Sequence, residues 1–319
     1  MRIGVLTSGG DAPGMNAAIR AVVRKGIYHG LEVVGIRRGY AGLLQGELQP
    51  LSLESVADII QRGGTILRTA RSPEFQTAEG PVLAARLLAT AGIEALVVIG
   101  GDGSFRGAQS LAAQGLRVIG VPATIDNDLG GTEQSIGFDT AVNTVLAAMD
   151  RIRDTASSHD RTFIIEVMGH RSGQIALAAG LAGGAESILL PEIPLELTEL
   201  LDRLRHGWER GKRHSLIVIS EGVGRAFELG AQIERQSGLE TRVTVLGHLQ
   251  RGGNPTFVDR QLASLLGAAA VDEILDGGNA RMVGSQGGRI EAVDLGAALS
   301  APPFPISVDH YRLAGILAL

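Results

Sequence analysis

The sequence predicts an α/β protein in which mostly parallel sheets are covered by helices. Short runs rich in Val, Ile and Leu alternate with longer segments of helical periodicity, the pattern of parallel strands buried on both faces. The 45 glycines and only 3% aromatic residues suit many tight turns between strands and helices. Because 319 residues exceed the usual size of one core, we expect two domains.

The individual elements follow from these patterns in order along the chain. Apolar runs predict strands near residues 3–7, 32–36, 95–99, 117–121, 162–167, 216–220 and 243–246. Helical periodicity predicts helices that include residues 16–29, 137–156, 196–210 and 259–275.

No Pro/Ser-rich linker separates two halves of the chain. We place the first domain change in the turn-rich stretch that ends near Phe138, and a later crossing at Pro302, Pro303 and Pro305. The predicted domains are residues 1–138 with 251–304, and residues 139–250 with 305–319.

Composition excludes several classes of protein. Cysteine is absent, which rules out disulfides, thiolate metal sites and Cys nucleophiles and favours a reducing, cytoplasmic compartment. A net charge of -5 and few aromatic residues argue against nucleic acid as a partner. The chain starts at Met1 inside a predicted strand, without the pattern of a signal peptide, and the apolar stretch 174–190 is interrupted by glycines and Glu186. We expect no membrane segment.

The first of three glycine-rich segments follows the first predicted strand and covers residues 7–16. Gly9 and Gly10 allow the backbone to approach a phosphate, and the following helix offers free N–H groups and its positive end. The segment matches neither G-x-G-x-x-G nor a Walker A sequence. A dinucleotide dehydrogenase therefore loses support.

The second segment, residues 99–104, again lies between a strand and a helix and holds Asp102 among small residues. Such a carboxylate suits Mg²⁺ that bridges nucleotide phosphates, because Mg²⁺ takes only one or two protein carboxylates. A turn with an Asp helix cap is an equally good interpretation of this segment alone.

The third segment, residues 122–128, carries Asp126 and Asp128. In an extended backbone both carboxylates point to one side, so one can serve a metal while the other takes a proton from an attacking hydroxyl. A polar turn with capping Asp residues explains an isolated D-x-D equally well.

The three segments in this order resemble the bacterial ATP-dependent 6-phosphofructokinases, and the likeness spans nearly the whole chain. Each segment alone is weak evidence for the family, but the occurrence of all of them in this order is specific for it. The further matching positions are Gly63-Gly64-Thr65, Arg71, Arg151-Ile152-Arg153-Asp154-Thr155, Glu166-Val167-Met168-Gly169, Glu221-Gly222 and the stretch 245–253.

The resemblance implies two doubly wound, Rossmann-like domains with the active site in the cleft between them. It implies an ATP-binding domain (1–138 plus 251–304), a fructose 6-phosphate-binding domain (139–250 plus 305–319), and Mg²⁺ and ATP as cofactor and co-substrate. The implied ATP-site positions are Gly10, Tyr40, Arg71, Ser72, Asp102, Gly103 and Ser104.

The resemblance also implies roles in catalysis and sugar binding. Asp126 would be the general base for the hydroxyl on carbon 1, with Arg71 and Thr124 in the catalytic set and Asp102 and Asp128 on the metal. A fixed guanidinium such as that of Arg71 suits charge on a transferring group. The implied substrate-binding positions are Thr124, Asp126, Asp128, Arg161, Met168, Gly169, His170, Glu221, Arg242, His248 and Arg251.

Arg161 and Arg242 would contribute to the sugar-phosphate site of a neighbouring subunit. The resemblance therefore implies an oligomer, which in this family is a homotetramer. Without the motif context, the better interpretation is that Arg242 and Arg251 are surface arginines and that His248 is a core histidine. The implied effector pocket, with Glu186 reaching Mg²⁺, responds to nucleoside diphosphate and phosphoenolpyruvate. Its positions are Arg20, Arg24, Arg153, Glu186, Arg210 and Lys212.

The chain departs from the family pattern in a few places. Where the family usually reads Met-Gly-Arg, this chain has Met168-Gly169-His170-Arg171, so the arginine is displaced by one position. We predict that His170 occupies the arginine site and weakens coupling between effector and substrate. Ser72, Gln76 and Arg106 also differ from residues common near the nucleotide, which leaves the adenine contacts open.

The choice of phosphoryl donor defines the main alternative, a pyrophosphate-dependent phosphofructokinase. Such relatives tend to carry Asp after G-G-D and Lys before T-I-D-N-D, where this chain has Gly103 and Ala123. Two other classes, a non-catalytic sugar-phosphate sensor and the NAD or lipid kinases with a G-G-D-G turn, explain the run 124–128 less well.

Overall fold

The computed structural model describes residues 1–318, which form two compact units. Unit 1 consists of Met1–Thr140 and Arg251–Phe304, and unit 2 of Ala141–Gln250 and the residues from Pro305 onward. The chain therefore passes from one unit to the other more than once. This explains why the sequence contains no single linker.

Strands and helices alternate along the described residues. The strands are β1 (Arg2–Thr7), β2 (Glu32–Ile36), β3 (Leu48–Leu51), β4 (Ala95–Gly100), β5 (Arg117–Pro122), β6 (Thr162–Val167), β7 (Ser187–Leu189), β8 (Ser215–Ser220), β9 (Thr241–Val245), β10 (Arg281–Gln286) and β11 (Arg289–Asp294). The helices are α1 (Met15–Tyr28), α2 (Gly39–Leu44), α3 (Gly80–Thr90), α4 (Asp102–Ala112), α5 (Phe138–His159), α6 (Gln174–Ala182), α7 (Leu197–Glu209), α8 (Ala226–Ser237), α9 (Phe257–Leu275), α10 (Leu295–Ser300) and α11 (Val308–Leu317).

The sheet of unit 1 has the strand order β11-β10-β5-β4-β1-β2-β3. Its central strands are parallel, and the edge strands β3 and β11 each run antiparallel to their neighbour. Thr7 lies opposite Ile99, and Ile99 lies opposite Val121. The carboxyl ends of β1, β4 and β5 therefore stop at the same level.

The sheet of unit 2 has the order β7-β8-β6-β9 and is parallel throughout. Val167 lies opposite Ser220, and Glu166 lies opposite Val245. The segments that follow β6, β8 and β9 consequently start at one edge of this sheet.

Burial explains why the central strands form. All residues of β4 are buried, as expected of a strand covered by helices on both faces. Close packing extends to the glycines. A Cβ at Gly120 in β5 would lie 2.8 Å from the Phe105 ring, and a Cβ at Gly267 in α9 would lie 2.7 Å from the Ala18 carbonyl oxygen of α1. Glycine at these positions lets helices approach the sheet and each other.

The predicted fold class is confirmed, because both sheets are mostly parallel and alternate with helices along the chain. The predicted strands and helices are present with small shifts at their ends. Strands β3, β7, β10 and β11 were missed. Strand β7 is only three residues long, and β3 is a proline-containing edge strand. Strands β10 and β11 form a hairpin in which charged or polar residues interrupt the apolar ones. Among residues 1–318, no helix has both the length and the apolar character of a membrane span.

Candidate active site

The turns after β1, β4 and β5 surround one cavity of about 1450 Å³ in unit 1. The three strands are neighbours in a parallel sheet, so their carboxyl ends meet where ligands bind in open α/β folds. Gly10, Asp102 and Asp126, one from each glycine-rich or acidic segment, all line this cavity. Segments far apart in sequence thus build one site.

The turn after β1 places glycine backbone beside a guanidinium. Gly9 has a φ of 83° and Gly14, which precedes α1, a φ of 111°, both in the left-handed region that favours glycine. A Cβ at Gly10 would lie 2.3 Å from Nη1 of Arg251, so any side chain there would displace the guanidinium. Exposed backbone, a helix start and an arginine together favour an anionic ligand.

The second turn supports an aromatic wall of the cavity. The Tyr40 hydroxyl donates a 2.6 Å hydrogen bond to the Ser104 carbonyl oxygen, and the Tyr40 ring stacks on Phe75 with 4.1 Å between centroids. A Cβ at Gly107 would lie 2.7 Å from this ring. Burial raises the pKa of Tyr40 far above its usual value, so the phenol stays neutral and acts as a rigid, mainly apolar surface.

Asp102 opens helix α4 and is paired with Arg106 one turn later. Nε of Arg106 lies 2.8 Å from one carboxylate oxygen and Nη2 lies 3.0 Å from the other. The carboxylate raises the pKa of the Arg106 guanidinium above its ordinary value. Both residues line the cavity, and the pairing of Arg106 with Asp102 was not predicted from the sequence.

The loop after β5 is not extended, so the sequence-based reasoning about Asp126 and Asp128 was wrong in its geometry. Residues 125–126 form a turn, and Asn127 has a φ of 49°. The Asn127 amide stabilises this turn: its oxygen accepts from the Ser135 N–H at 2.8 Å and its nitrogen donates to the Glu133 carbonyl at 2.9 Å. Asp126 and Asp128 nevertheless both line the same cavity.

Thr124 lies at the start of this loop and touches both acidic residues. Its hydroxyl accepts from the Asp126 N–H at 3.3 Å and donates to an Asp128 carboxylate oxygen at 3.4 Å. The two carboxylates are thus held on a short turn with a common hydroxyl.

Segment 69–78 supplies further lining residues. Arg71, Ser72 and Gln76 all line the cavity, and Arg71 is exposed. An exposed guanidinium and two polar side chains therefore lie in the same cavity as Asp102 and Asp126.

Unit 2 brings several predicted sugar-contact residues to the carboxyl edge of its own sheet. The Gly169 N–H donates to the Glu221 carboxylate at 3.3 Å, and the Met168 N–H donates to the Gln250 side chain at 3.2 Å. Gly169 has a φ of 119°. No role was predicted from the sequence for Gln250, which is fully buried, because only His248 and Arg251 were taken from the matching stretch 245–253.

His170, Arg171 and His248 are exposed in unit 2. A Cβ at Gly222 would lie 2.1 Å from the His170 carbonyl oxygen, which fixes the backbone of residue 170 beside the segment after β8. The side chains of the three residues remain accessible to a ligand.

Arg161 and Arg242 lie at the other edge of the unit 2 sheet. Arg161 immediately precedes β6 and pairs with Glu240 at 2.9 Å, and Arg242 pairs with the same carboxylate. The hydrogen bond from Arg161, followed by the charges of both arginines, lowers the pKa of Glu240. Since Met168 follows β6 and Arg161 precedes it, a six-residue strand, roughly 20 Å long, separates them.

The predicted effector residues of unit 2 partly gather near the starts of β7 and β8. Lys212 pairs with Glu186 at 2.8 Å, and the Glu186 carboxylate also accepts from the Leu216 N–H. Arg153 donates to the Gly183 and Gly184 carbonyl oxygens. Arg210 ends α7 and is exposed, and Arg20 and Arg24 lie on α1 of unit 1.

The carboxylates that could bind magnesium are those that line the cavity of unit 1. Among residues 1–318, no group of three or more His, Asp or Glu side chains is arranged to hold a metal ion by itself. Asp102 and Asp128 each present a carboxylate to the cavity. One or two carboxylates fit Mg²⁺ that takes its other ligands from phosphates and water.

Asp259 was missed by the sequence analysis. It is buried in α9, and its carboxylate accepts from the backbone N–H groups of Gly137 and Thr140, each at 2.8 Å. Burial raises its pKa, although these hydrogen bonds oppose the shift. The residue fixes the start of α5 next to the loop that carries Asp126.

A parallel sheet whose carboxyl edge carries glycine turns, carboxylates and a guanidinium around one cavity defines an α/β protein that binds phosphorylated ligands. The chain belongs to the phosphofructokinase family, whose model matches residues 2–274.

Individual relatives agree with this assignment. An ATP-dependent 6-phosphofructokinase of Halalkalibacterium halodurans is 57% identical over 318 residues, covering 100% of this chain and 99% of its own. The enzyme of that name from Bacillus subtilis is 60% identical over 294 residues, 92% of each chain. Pichia pastoris phosphofructokinase in the T-state has a TM-score of 0.90 at 36% identity, covering 93% of this chain and 37% of the longer yeast chain.

Proposed function

We propose that this chain is an ATP-dependent 6-phosphofructokinase. It transfers the γ-phosphoryl group of ATP to the 1-hydroxyl of fructose 6-phosphate and yields fructose 1,6-bisphosphate and ADP, the committed step of glycolysis. The observation that carries the proposal is the convergence of Asp102, Asp126 and Asp128 with the Gly10 turn on one cavity of unit 1. Phosphoryl transfer to an alcohol needs these parts together: a phosphate cradle, metal-binding carboxylates and a base.

Unit 1 is the proposed ATP-binding domain. We assign phosphate binding to the backbone around Gly10 and to the start of α4 at Gly103 and Ser104, because Gly10 and Gly103 are exposed and both places lie near a helix start. The Tyr40 ring, with Ser72, bounds the space for the nucleoside.

Asp102 and Asp128 would hold Mg²⁺, which neutralises charge on the nucleotide phosphates when bound. The half-buried position of both carboxylates suits such a role, because their negative charge is only partly screened by water.

Asp126 is the proposed general base. It accepts the proton of the sugar hydroxyl on carbon 1 as that oxygen bonds to the γ-phosphorus, while the bond from phosphorus to the bridging oxygen of ADP breaks. The Thr124 hydroxyl, which accepts from the Asp126 N–H and donates to the Asp128 carboxylate, orients the base. Arg71 offsets negative charge on the transferred group.

The sugar phosphate is the proposed ligand of a larger set of residues. Glu221 and His248 offer groups to the sugar hydroxyls, and Arg251 offers a guanidinium to the phosphate. The set also includes Met168, Gly169 and His170, together with Thr124, Asp126 and Asp128 of the loop after β5.

Arg161 and Arg242 are proposed to complete the sugar site of a neighbouring subunit. Their position at the amino edge of the unit 2 sheet, next to Glu240, supports this role, because Met168 and Glu221 of the same subunit lie at the opposite edge. A shared site of this kind requires an oligomer, which we propose to be a homotetramer.

Regulation by effectors is proposed for five basic residues and one acidic residue, which are Arg20, Arg24, Arg153, Arg210, Lys212 and Glu186. Anionic effectors such as nucleoside diphosphate and phosphoenolpyruvate suit this charge. If Arg153→Ala and Arg210→Ala leave both responses unchanged, the assignment fails. We further propose that His170 weakens coupling between effector and substrate, and a His170→Arg variant with unaltered cooperativity would contradict that.

ATP is favoured over pyrophosphate as the donor. The space where a Cβ of Gly103 would lie contains no atom within 4 Å, which leaves room for the α-phosphate and nucleoside. We place the enzyme in the cytoplasm, where its substrates occur and where a chain without cysteine has no need of an oxidising environment.

One assay tests the function. Purified protein is mixed with Mg²⁺, fructose 6-phosphate and either ATP or pyrophosphate, and the products are followed by phosphorus NMR. We expect fructose 1,6-bisphosphate and ADP with ATP only. Faster turnover with pyrophosphate would replace the ATP assignment, and no product with either donor would refute the proposed reaction.

A further inference from the structure

Asn16 is a buried polar residue at the start of α1 that makes contacts far away in sequence. It is 1% exposed. Its Nδ2 donates to the Arg62 carbonyl at 3.0 Å and to the Gly63 carbonyl at 3.2 Å, and its Oδ1 accepts from the Ile66 N–H at 2.8 Å. One side chain thus satisfies three backbone groups of the loop 62–66.

The same loop is also held by the last residue of β1. The Thr7 hydroxyl lies 2.9 Å from the Thr65 hydroxyl and donates to the Arg68 carbonyl at 3.1 Å. Thr7 and Asn16 lie on either side of the Gly9–Gly10 turn in the sequence. The loop is therefore fixed with respect to that turn.

The other face of the loop packs against the backbone that follows Arg251. A Cβ at Gly63 would lie 2.2 Å from the Gly253 carbonyl oxygen and 3.4 Å from its nitrogen, so the two backbones are in direct contact. The Arg251 guanidinium in turn lies against Gly10. The contacts thus close a ring from the Gly10 turn through Asn16, Gly63 and Gly253 back to Gly10.

We propose that Asn16 is a positioning residue for Arg251: through the loop 62–66 and Gly253 it fixes where the Arg251 guanidinium lies relative to the Gly10 turn. An arginine side chain is long and flexible, so its placement depends on the backbone that carries it. Asn16 itself touches no reacting group. The inference deepens the proposed function, because it takes Arg251 as the ligand of the sugar phosphate.

The first test is steady-state kinetics of Asn16→Ala. We expect kcat/KM for fructose 6-phosphate to fall about 10-fold or more, mainly through KM, while KM for ATP changes less than twofold. The control is Val22→Ala, a cavity variant in the buried face of the same helix, which lowers stability without removing a loop contact. A fall in kcat/KM as large in Val22→Ala as in Asn16→Ala would overturn the proposal.

The second test asks whether Asn16 acts through Arg251. The effect of Asn16→Ala on kcat/KM is measured in the wild type and in Arg251→Ala. We expect it to shrink to less than about threefold in the Arg251→Ala background, because the group to be positioned is missing. Full additivity of the two substitutions would overturn the proposal.

The third test approaches the ring from its other side and does not require Asn16→Ala to fold. Gly63→Ala forces the loop away from Gly253, and we expect the same selective rise in KM for fructose 6-phosphate. The matched control is Gly315→Ala in α11, where a Cβ meets no atom within 4 Å. Wild-type kinetics in Gly63→Ala would contradict the inference.

The position of Arg251 in crystal structures of the variants separates failure of this inference from failure of the proposed function. If the wild type does not phosphorylate fructose 6-phosphate, the function fails. The ring is still tested by the structures of Gly63→Ala and Asn16→Ala, in which we expect the Arg251 guanidinium to leave its position against Gly10. A guanidinium that stays against Gly10 in both variants would refute the link to Arg251.

Discussion

The guanidinium of Arg106 donates two hydrogen bonds to the carboxylate of Asp102, one from Nε at 2.8 Å and one from Nη2 at 3.0 Å. The residues lie one helical turn apart on α4, and both line the cavity of unit 1. Asp102 is the carboxylate that we assign to Mg²⁺. A bound cation and the guanidinium therefore compete for the same oxygens.

Replacing Arg106 with Ala should lower the Mg²⁺ concentration needed for tight ATP binding. We expect a shift of roughly two- to fivefold, because a solvent-exposed ion pair is weak and its loss frees Asp102. The measurement is calorimetric titration of ATP at a series of fixed Mg²⁺ concentrations.

Arg86→Ala in α3 is the control, since it removes the same charge from an exposed position outside the cavity lining. A higher Mg²⁺ requirement in Arg106→Ala would show instead that the guanidinium helps to bind the nucleotide.

Replacing Asp126 with Asn should abolish most of the catalysis and spare sugar binding. The amide cannot accept the hydroxyl proton, so we expect kcat to fall by about 10²–10⁴-fold. The fructose 6-phosphate affinity, measured by equilibrium binding, should change little. Asp276→Asn, at an exposed helix end of the same unit, serves as control. A kcat within a factor of two of the wild type would remove Asp126 from the mechanism.

Replacing Gly103 with Asp should weaken ATP binding. The new side chain meets no protein atom near its Cβ, so the fold should tolerate it, but its charge would repel the nucleotide phosphates. We expect KM for ATP to rise about 10-fold or more, with a much smaller rise in Gly103→Ala, which adds size without charge. Equal effects of Asp and Ala would point to steric exclusion alone.

The stability contribution of Asp259 should decrease as the pH rises. Burial raises the pKa of this carboxyl above its ordinary value of 3.8, so the folded protein retains the proton to a higher pH than the unfolded chain. Above pH 3.8 the unfolded chain ionises first, and the free energy of unfolding falls with pH until the folded carboxyl has also ionised.

Urea unfolding of wild type and Asp259→Asn at fixed protein concentration measures this effect. We expect the difference in unfolding free energy, wild type minus variant, to decline between about pH 4 and neutral pH. An increase over that range would mean that the hydrogen bonds from Gly137 and Thr140 outweigh burial.

The acidic loop after β5 illustrates how much of the site could be predicted. The residue types of Asp126 and Asp128 and their place after an apolar strand indicated a metal and a base, and both side chains line the cavity. Their backbone could not be predicted, because the left-handed conformation of Asn127 depends on contacts with Glu133 and Ser135. Alternation in an extended strand was the wrong model for a turn.

The supporting residues were beyond prediction for a related reason. Asn16, Gln250 and Asp259 act through backbone groups 46 to 122 positions away. A single sequence does not indicate which distant backbone groups a polar side chain will bind, because a polar residue at any of these positions is equally consistent with an exposed surface group.

Local patterns in the amino-acid sequence were enough to predict the alternation of strands and helices, the mostly parallel sheets and the chemical types at the strand ends. These follow from local periodicity and from rules that hold for every parallel sheet. The folded chain was needed to establish which groups are in contact, namely Arg251 with Gly10, Arg106 with Asp102 and Gly63 with Gly253. Such contacts depend on the register of strands and on close packing between distant segments, which no local pattern specifies.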